Sequence, residues 1–172
     1  MSTSTTSGEK AIAKPLASYS AARVVSLSPT THLFYISGTT ARQPDGQVPP
    51  FGHSYSESLA NTPTATADHG LCSAAAIQTR IILSKITTVI NDASPELLGL
   101  EALVELTIFA KSLRRDYAAI NKVYDEQVGV LLRSKGIPLP ARTCVEVNGM
   151  PPDERTLVEI KAVAKLAKVH KY

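Results

Sequence analysis

Period-two alternation in the C-terminal half most constrains what this chain can fold into. Ala102, Val104, Leu106, Ile108 and Ala110 share one parity, with Glu101, Glu105 and Thr107 on the other. In residues 141–147, Thr143, Val145 and Val147 lie opposite Arg142, Cys144 and Glu146. In residues 157–164, Val158, Ile160, Ala162 and Ala164 lie opposite Leu157, Glu159, Lys161 and Val163. Successive strand residues face opposite ways, so each stretch reads as a half-buried strand. The last two strands place an Arg, a Cys, two Glu and a Lys where they can share one sheet surface. Such a surface is a solvated back, an assembly surface or a site.

The remaining elements supply a partner layer. Residues 22–27 and 33–37 are β-favouring and flank Pro29-Thr30-Thr31, which reads as an antiparallel hairpin closed by Gly38. Pro44-Asp45-Gly46 is a turn signal, because Pro presets φ and Gly accepts positive φ. From about residue 45 to 73 the chain is rich in Pro, Gly, Ser and Thr without periodicity, and reads as a long loop. Ser73 caps a helix reaching about residue 92, with Ala75, Ile82, Ile86, Val89, Ile90 and Ala93 as its apolar stripe. Ser112 caps a second helix to about residue 128, where Tyr117, Ile120 and Tyr124 keep helical spacing. Gly136-Ile137-Pro138 breaks that pattern. The order β-β-loop-α-β-α-β-β implies an α+β layer in which two helices cover one face of the sheet. The other face must meet solvent or another subunit. Residues 1–13 read as a disordered leader, and 14–172 as one domain.

Composition excludes several classes. Hydrophobic residues make up 44% and charged residues 19%, ordinary for a globular chain. Eighteen basic residues against 15 acidic give a net charge of +3, which is no footprint for nucleic acid. The Lys-rich end, Lys161 to Lys171, reads as a solvated tail. No apolar run is long enough to span a membrane, and residues 1–10 lack the apolar core of a secretory signal. Cys72 and Cys144 then read as reduced thiols, and the expected location is the cytoplasm. No phosphate-binding glycine loop or Gly-x-Ser-x-Gly elbow is present. His53, Asp68, His69 and Cys72 lack metal-ligand spacing, so no metal is expected.

Several motifs in order carry a resemblance. Pro140-Ala141-Arg142-Thr143-Cys144-Val145-Glu146-Val147 and Val158-Glu159-Ile160-Lys161-Ala162-Val163-Ala164 resemble two signatures of the Rid/YjgF family of enamine/imine deaminases. Ser18-Tyr19-Ser20, Phe34-Tyr35-Ile36-Ser37-Gly38, Gln78-Thr79-Arg80 and Ile120-Asn121-Lys122-Val123-Tyr124 follow in family order over residues 15–164. Residues 36–45 are similar to the 2-aminomuconate deaminase branch. The resemblance implies a chorismate-mutase-like fold, a homotrimer with clefts between subunits, and no cofactor. It also implies hydrolysis of a carboxylate-bearing enamine or imine with release of ammonia. A small-carboxylate-binding trimer without catalysis is the alternative on the same scaffold.

Each candidate residue has a plain reading beside the functional one. Arg142 is the expected carboxylate clamp, because a guanidinium offers a planar donor fork; the plain reading is a salt bridge to Glu159 or Glu146. The resemblance makes Glu159 the group that orients and deprotonates water. A neighbouring Arg142 would hold it ionised, and the plain reading is an exposed strand glutamate. Tyr19 is expected against the substrate's conjugated plane, and Asn121 either lines the cleft or faces outward from the second helix. Ser37 and Gly38 either present backbone groups to substrate or merely end a strand. Cys144 has no His at a suggestive spacing and is expected to line the cleft without acting as a nucleophile. Glu146 is assigned to the subunit interface.

Overall fold

The computed structural model describes residues 16–49, 73–94, 99–167 and 169. The expected leader, most of the 45–73 loop and the His53, Asp68, His69 and Cys72 group lie outside the described residues.

Among the described residues five strands form one sheet. β1 (Ala22–Ser28) and β2 (Thr31–Thr40) make the expected antiparallel hairpin. β3 (Leu103–Ala110), β4 (Ala141–Glu146) and β5 (Val158–Leu166) complete the order β1-β2-β5-β3-β4. Among the described strands only β3 and β4 pair in parallel. A parallel pair needs a crossover, and here helical chain provides it. α1 (Ala74–Ala93) precedes β3; α2 (Leu113–Tyr124), a π-helical turn (Asp125–Gly129) and α3 (Val130–Ser134) join β3 to β4. The helices lie on one face, as the element count requires. The second helical run extends past the expected end, to Ser134. It stops in a Schellman motif at Gly136 (φ 65°), where Ile137 N–H reaches Leu132 C=O and Gly136 N–H reaches Arg133 C=O.

The core fills the space between sheet and helices. Phe34 and Ile36 of β2, Ile108 of β3 and Ile160 of β5 are buried against Ile82, Ile86 and Ile90 of α1 and Ile120 of α2. Burying such side chains stabilises the fold by about 1.5–3 kcal/mol each. The α1 stripe is buried throughout, as its periodicity requires. Tyr117 is not: α2 buries Asp116, Ala119, Ile120 and Val123 instead, leaving Tyr117 45% exposed. The face is rotated by one residue from the aromatic spacing. Gln78 of α1 joins distant segments. Its buried amide donates to Pro49 C=O and Arg155 C=O, both at 2.7 Å, and accepts from Leu157 N–H at 2.9 Å.

Two parities differ from expectation. In β3 a register shift between Leu103 and Glu105 inserts an extra residue, so Leu103 is buried and Val104 is 45% exposed. The more consequential difference is in β4. Its partners across the ladder are Leu106 for Arg142 and Ile108 for Cys144, both core residues. Arg142, Cys144 and Glu146 therefore point to the helix side, and Thr143 and Val145 to the open side. Glu159 pairs with Phe109 and Lys161 with Thr107, on the open side. The ionisable groups of β4 and β5 thus occupy opposite faces, correcting the single charged surface read from alternation. Alternation reports parity within a strand, whereas register across the sheet decides which parity faces the core.

Candidate active site

A cleft of about 510 Å³ opens beside β2 and β5, with Tyr19, Ser37, Gly38, Lys85 and Glu159 in its wall. It starts with an irregularity in β2, whose register against β5 shifts between Ile36 and Thr39. That shift contains Ser37 and Gly38. The Ser37 N–H donates to Ala21 C=O at 2.9 Å, and its hydroxyl donates to Ser20 C=O at 2.7 Å. These bonds pin the segment leading to β1, and with it Tyr19, which is 47% exposed at the cleft. Gly38 has a steric reason to be glycine: a Cβ there would overlap the Glu159 carboxyl. The carboxyl thus lies against bare backbone. Burial raises its pKa above the ordinary glutamate value. This reverses the expectation that Arg142 holds it ionised, because Arg142 is on the other face. A carboxyl shifted upward is better suited to exchanging protons near neutral pH.

Lys85 was missed in the sequence. It stands three residues after Ile82 and four before Val89, on the flank of the α1 stripe. A lysine at that spacing beside a buried face was the available signal. Its ammonium donates to Thr40 C=O at 3.1 Å and to Arg42 C=O, holding the chain as it leaves β2. Burial, with the Arg42 charge second, lowers its pKa to about 8.

A second cluster lies on the helix side. The Arg142 guanidinium carbon stands 4.7 Å from the Tyr124 ring centroid, a cation–π geometry. Neither of the carboxylates considered for an ion pair holds it. Glu159 is on the opposite face, and the Glu146 carboxylate accepts from Leu113 N–H at 2.7 Å, at the start of α2. That bond gives Glu146 a role inside the subunit. Burial raises the pKa of Cys144, with Arg142 opposing the shift, so burial favours the neutral thiol and disfavours a nucleophile. Asn121, one turn before Tyr124, has a buried Oδ1 without a hydrogen-bond partner. The structure therefore brings Tyr19, Ser37, Gly38 and Glu159 together, and places Arg142 and Cys144 elsewhere, with Asn121 on the neighbouring helix. Among the described residues no cluster of three His, Cys, Asp or Glu can hold a metal. Nor is any described helix long and apolar enough to cross a membrane.

Comparison with known proteins gives the lineage. A RutC family protein of Synechocystis is 34% identical over 90 residues, covering 52% of this chain and 60% of that protein. The match thus spans less than two thirds of that relative's length. The crystal structure of the Escherichia coli YjgF gene product superposes with a TM-score of 0.57 at 22% identity, covering 92% of this chain and 93% of that one. Escherichia coli TdcF with bound serine gives 0.55 at 21% identity, covering 88% and 91%. At those identities the structures establish a shared fold. The family described as Endoribonuclease L-PSP matches residues 9–166, almost the whole chain, so this protein belongs to that family, which is the YjgF/Rid family.

Proposed function

We propose that the protein is a hydrolytic deaminase of carboxylate-bearing enamines and imines, with each site shared between two subunits of a homotrimer. The observation that carries this reading is the separation of Arg142 and Glu159 onto opposite sheet faces. Each stands in half a site: a guanidinium stacked on Tyr124 without a carboxylate, and a half-buried carboxyl in a cleft. A ring of like subunits apposes unlike patches, which is how two such halves meet. The open face supports burial in an assembly, since Val25, Tyr35 and Val145 are exposed there.

In the proposed reaction an enamine first tautomerises to the imine, whose carbon is electrophilic. Arg142 clamps the substrate carboxylate. Glu159 orients a water, accepts its proton as the oxygen adds to the imine carbon, and returns it to nitrogen. The tetrahedral adduct collapses to a ketone, and ammonia leaves. Holding water and carboxylate in register is the main contribution required. Tyr19 packs on the conjugated plane, and no cofactor enters. A 2-imino acid is the substrate class, with 2-aminomuconate the leading member from the similarity of residues 36–45.

The assay is ammonia release from an imino acid produced in situ by an amino-acid oxidase. The protein accelerates it, and Arg142→Ala lowers the rate by about 10²-fold or more. Unchanged release with and without protein contradicts catalysis and favours the carboxylate-binding alternative. The family description also raises RNA cleavage. His32, the histidine among the described residues, is bonded to Ser26 at the far end of β2 from Gly38. Cleavage of RNA abolished by Glu159→Gln would overturn the deaminase reading.

A further inference from the structure

The cleft carries more positive charge than clamping one carboxylate requires. Arg42, Lys85 and Lys161 line it, with Glu159 the one carboxylate among the described lining residues; Arg42 is engaged by an interaction of its own, so the charge open to a ligand is that of the two lysines. Lys85 is the most constrained of the three. An ammonium has three donors. Two go to the carbonyls of Thr40 and Arg42, which fixes the nitrogen on the cleft wall and leaves one for an occupant. The side chain cannot swing to water without releasing the end of β2. Beside it the wall is apolar at Leu16, Val89 and Pro151, which suits a short carbon chain. A fixed cation at one side of an apolar trough selects a ligand with an anionic group at its far end.

We infer that Lys85 is a specificity-determining residue that binds a second, distal carboxylate, so that the preferred ligands are short α,ω-dicarboxylates and their imino derivatives. The inference rests on the cleft being the substrate site, as proposed above. One carboxylate meets Arg142 across the subunit boundary, and the other meets Lys85 within the cleft. Glu159 stands in the same cleft beside the reacting carbon. The cost of placing a dianion there is offset by Arg142, Lys85 and Lys161.

Calorimetric titration of the full chain with glutarate and with butyrate tests the inference without turnover. These ligands share a carboxylate and a four-carbon backbone segment, and differ in the second carboxylate. Wild type is expected to bind glutarate about tenfold more tightly than butyrate. In Lys85→Met that ratio falls to about one, and Lys85→Arg retains most of it. A ratio near one in wild type, or a Lys85→Met variant that weakens both ligands equally, overturns the inference and leaves Lys85 a structural tether. Should Lys85→Met fail to fold, wild type supplies the same test through pH. The glutarate preference falls as pH rises past about 8, where the ammonium loses its proton. The charged and titratable groups facing it are Arg42, Glu159, Lys161 and Tyr19. A preference unchanged to about pH 10.5, the ordinary lysine value, contradicts the inference. Absence of ammonia release with the glutarate preference intact would remove the deaminase reading and leave the dicarboxylate site standing.

Discussion

Gly38 and Glu159 constrain each other, and their contact gives two outcomes at the scale of single residues. Gly38→Ala drives a methyl group into the Glu159 carboxyl. Because the displaced atoms are the end of a flexible side chain, it is expected to cost about 1 kcal/mol or less in urea unfolding while lowering ammonia release by moving that carboxyl. Glu159→Gln should act in opposite directions on rate and stability. The folded-state pKa of Glu159 is raised, so the folded protein holds more protons than the unfolded chain. Stability from this group is therefore greatest below the unfolded carboxyl pKa and falls as pH rises towards the folded one. At neutral pH the ionised carboxyl is a cost, and Glu159→Gln is expected to raise the melting temperature near pH 7 and change it little near pH 4. A variant less stable at pH 7 than at pH 4, relative to wild type, contradicts this account. Legibility at this scale was uneven. Tyr19, Ser37, Gly38 and Glu159 were named from motifs and do meet in one cleft. Lys85 was not named: its spacing on the flank of the α1 stripe was a signal, but that the ammonium is held by the Thr40 and Arg42 carbonyls is a long-range fact.

At the scale of elements, alternation and helical stripes located the five strands and two helical runs of the described residues. They did not determine how β4 sits in the sheet. Its parity is legible from sequence, but its facing depends on pairing with Leu106 and Ile108, a long-range fact. The β3 irregularity escaped for a related reason, since an extra residue leaves the apolar pattern intact while inverting part of it. Glu146 shows the consequence of the correct facing: it reaches the helix layer and accepts from Leu113 N–H, beside the Ser112 cap. Glu146→Ala should cost about 1 kcal/mol by leaving that donor unmet, read as a lower urea midpoint with unchanged slope. Gln78→Leu should cost more, about 2–4 kcal/mol, because it strands the Pro49 and Arg155 carbonyls and the Leu157 N–H. If its effect were no larger than that of Glu146→Ala, the three-way clasp would not be what holds β5 to α1.

At the scale of the whole molecule, the described residues form a sheet covered by helices on one side, with a face of mixed chemistry on the other. One subunit keeps the two halves of the proposed site apart by the thickness of its own sheet, so the proposed reaction calls for a second subunit. Native mass spectrometry is expected to give three times the 18.4 kDa chain mass. The most direct test of the shared site mixes two inactive proteins. Arg142→Ala and Glu159→Gln chains are co-expressed, so that some subunit boundaries join an intact Arg142 half to an intact Glu159 half. Random assembly restores about a quarter of the wild-type ammonia release. A mixture as inactive as its parents would contradict a site built between subunits.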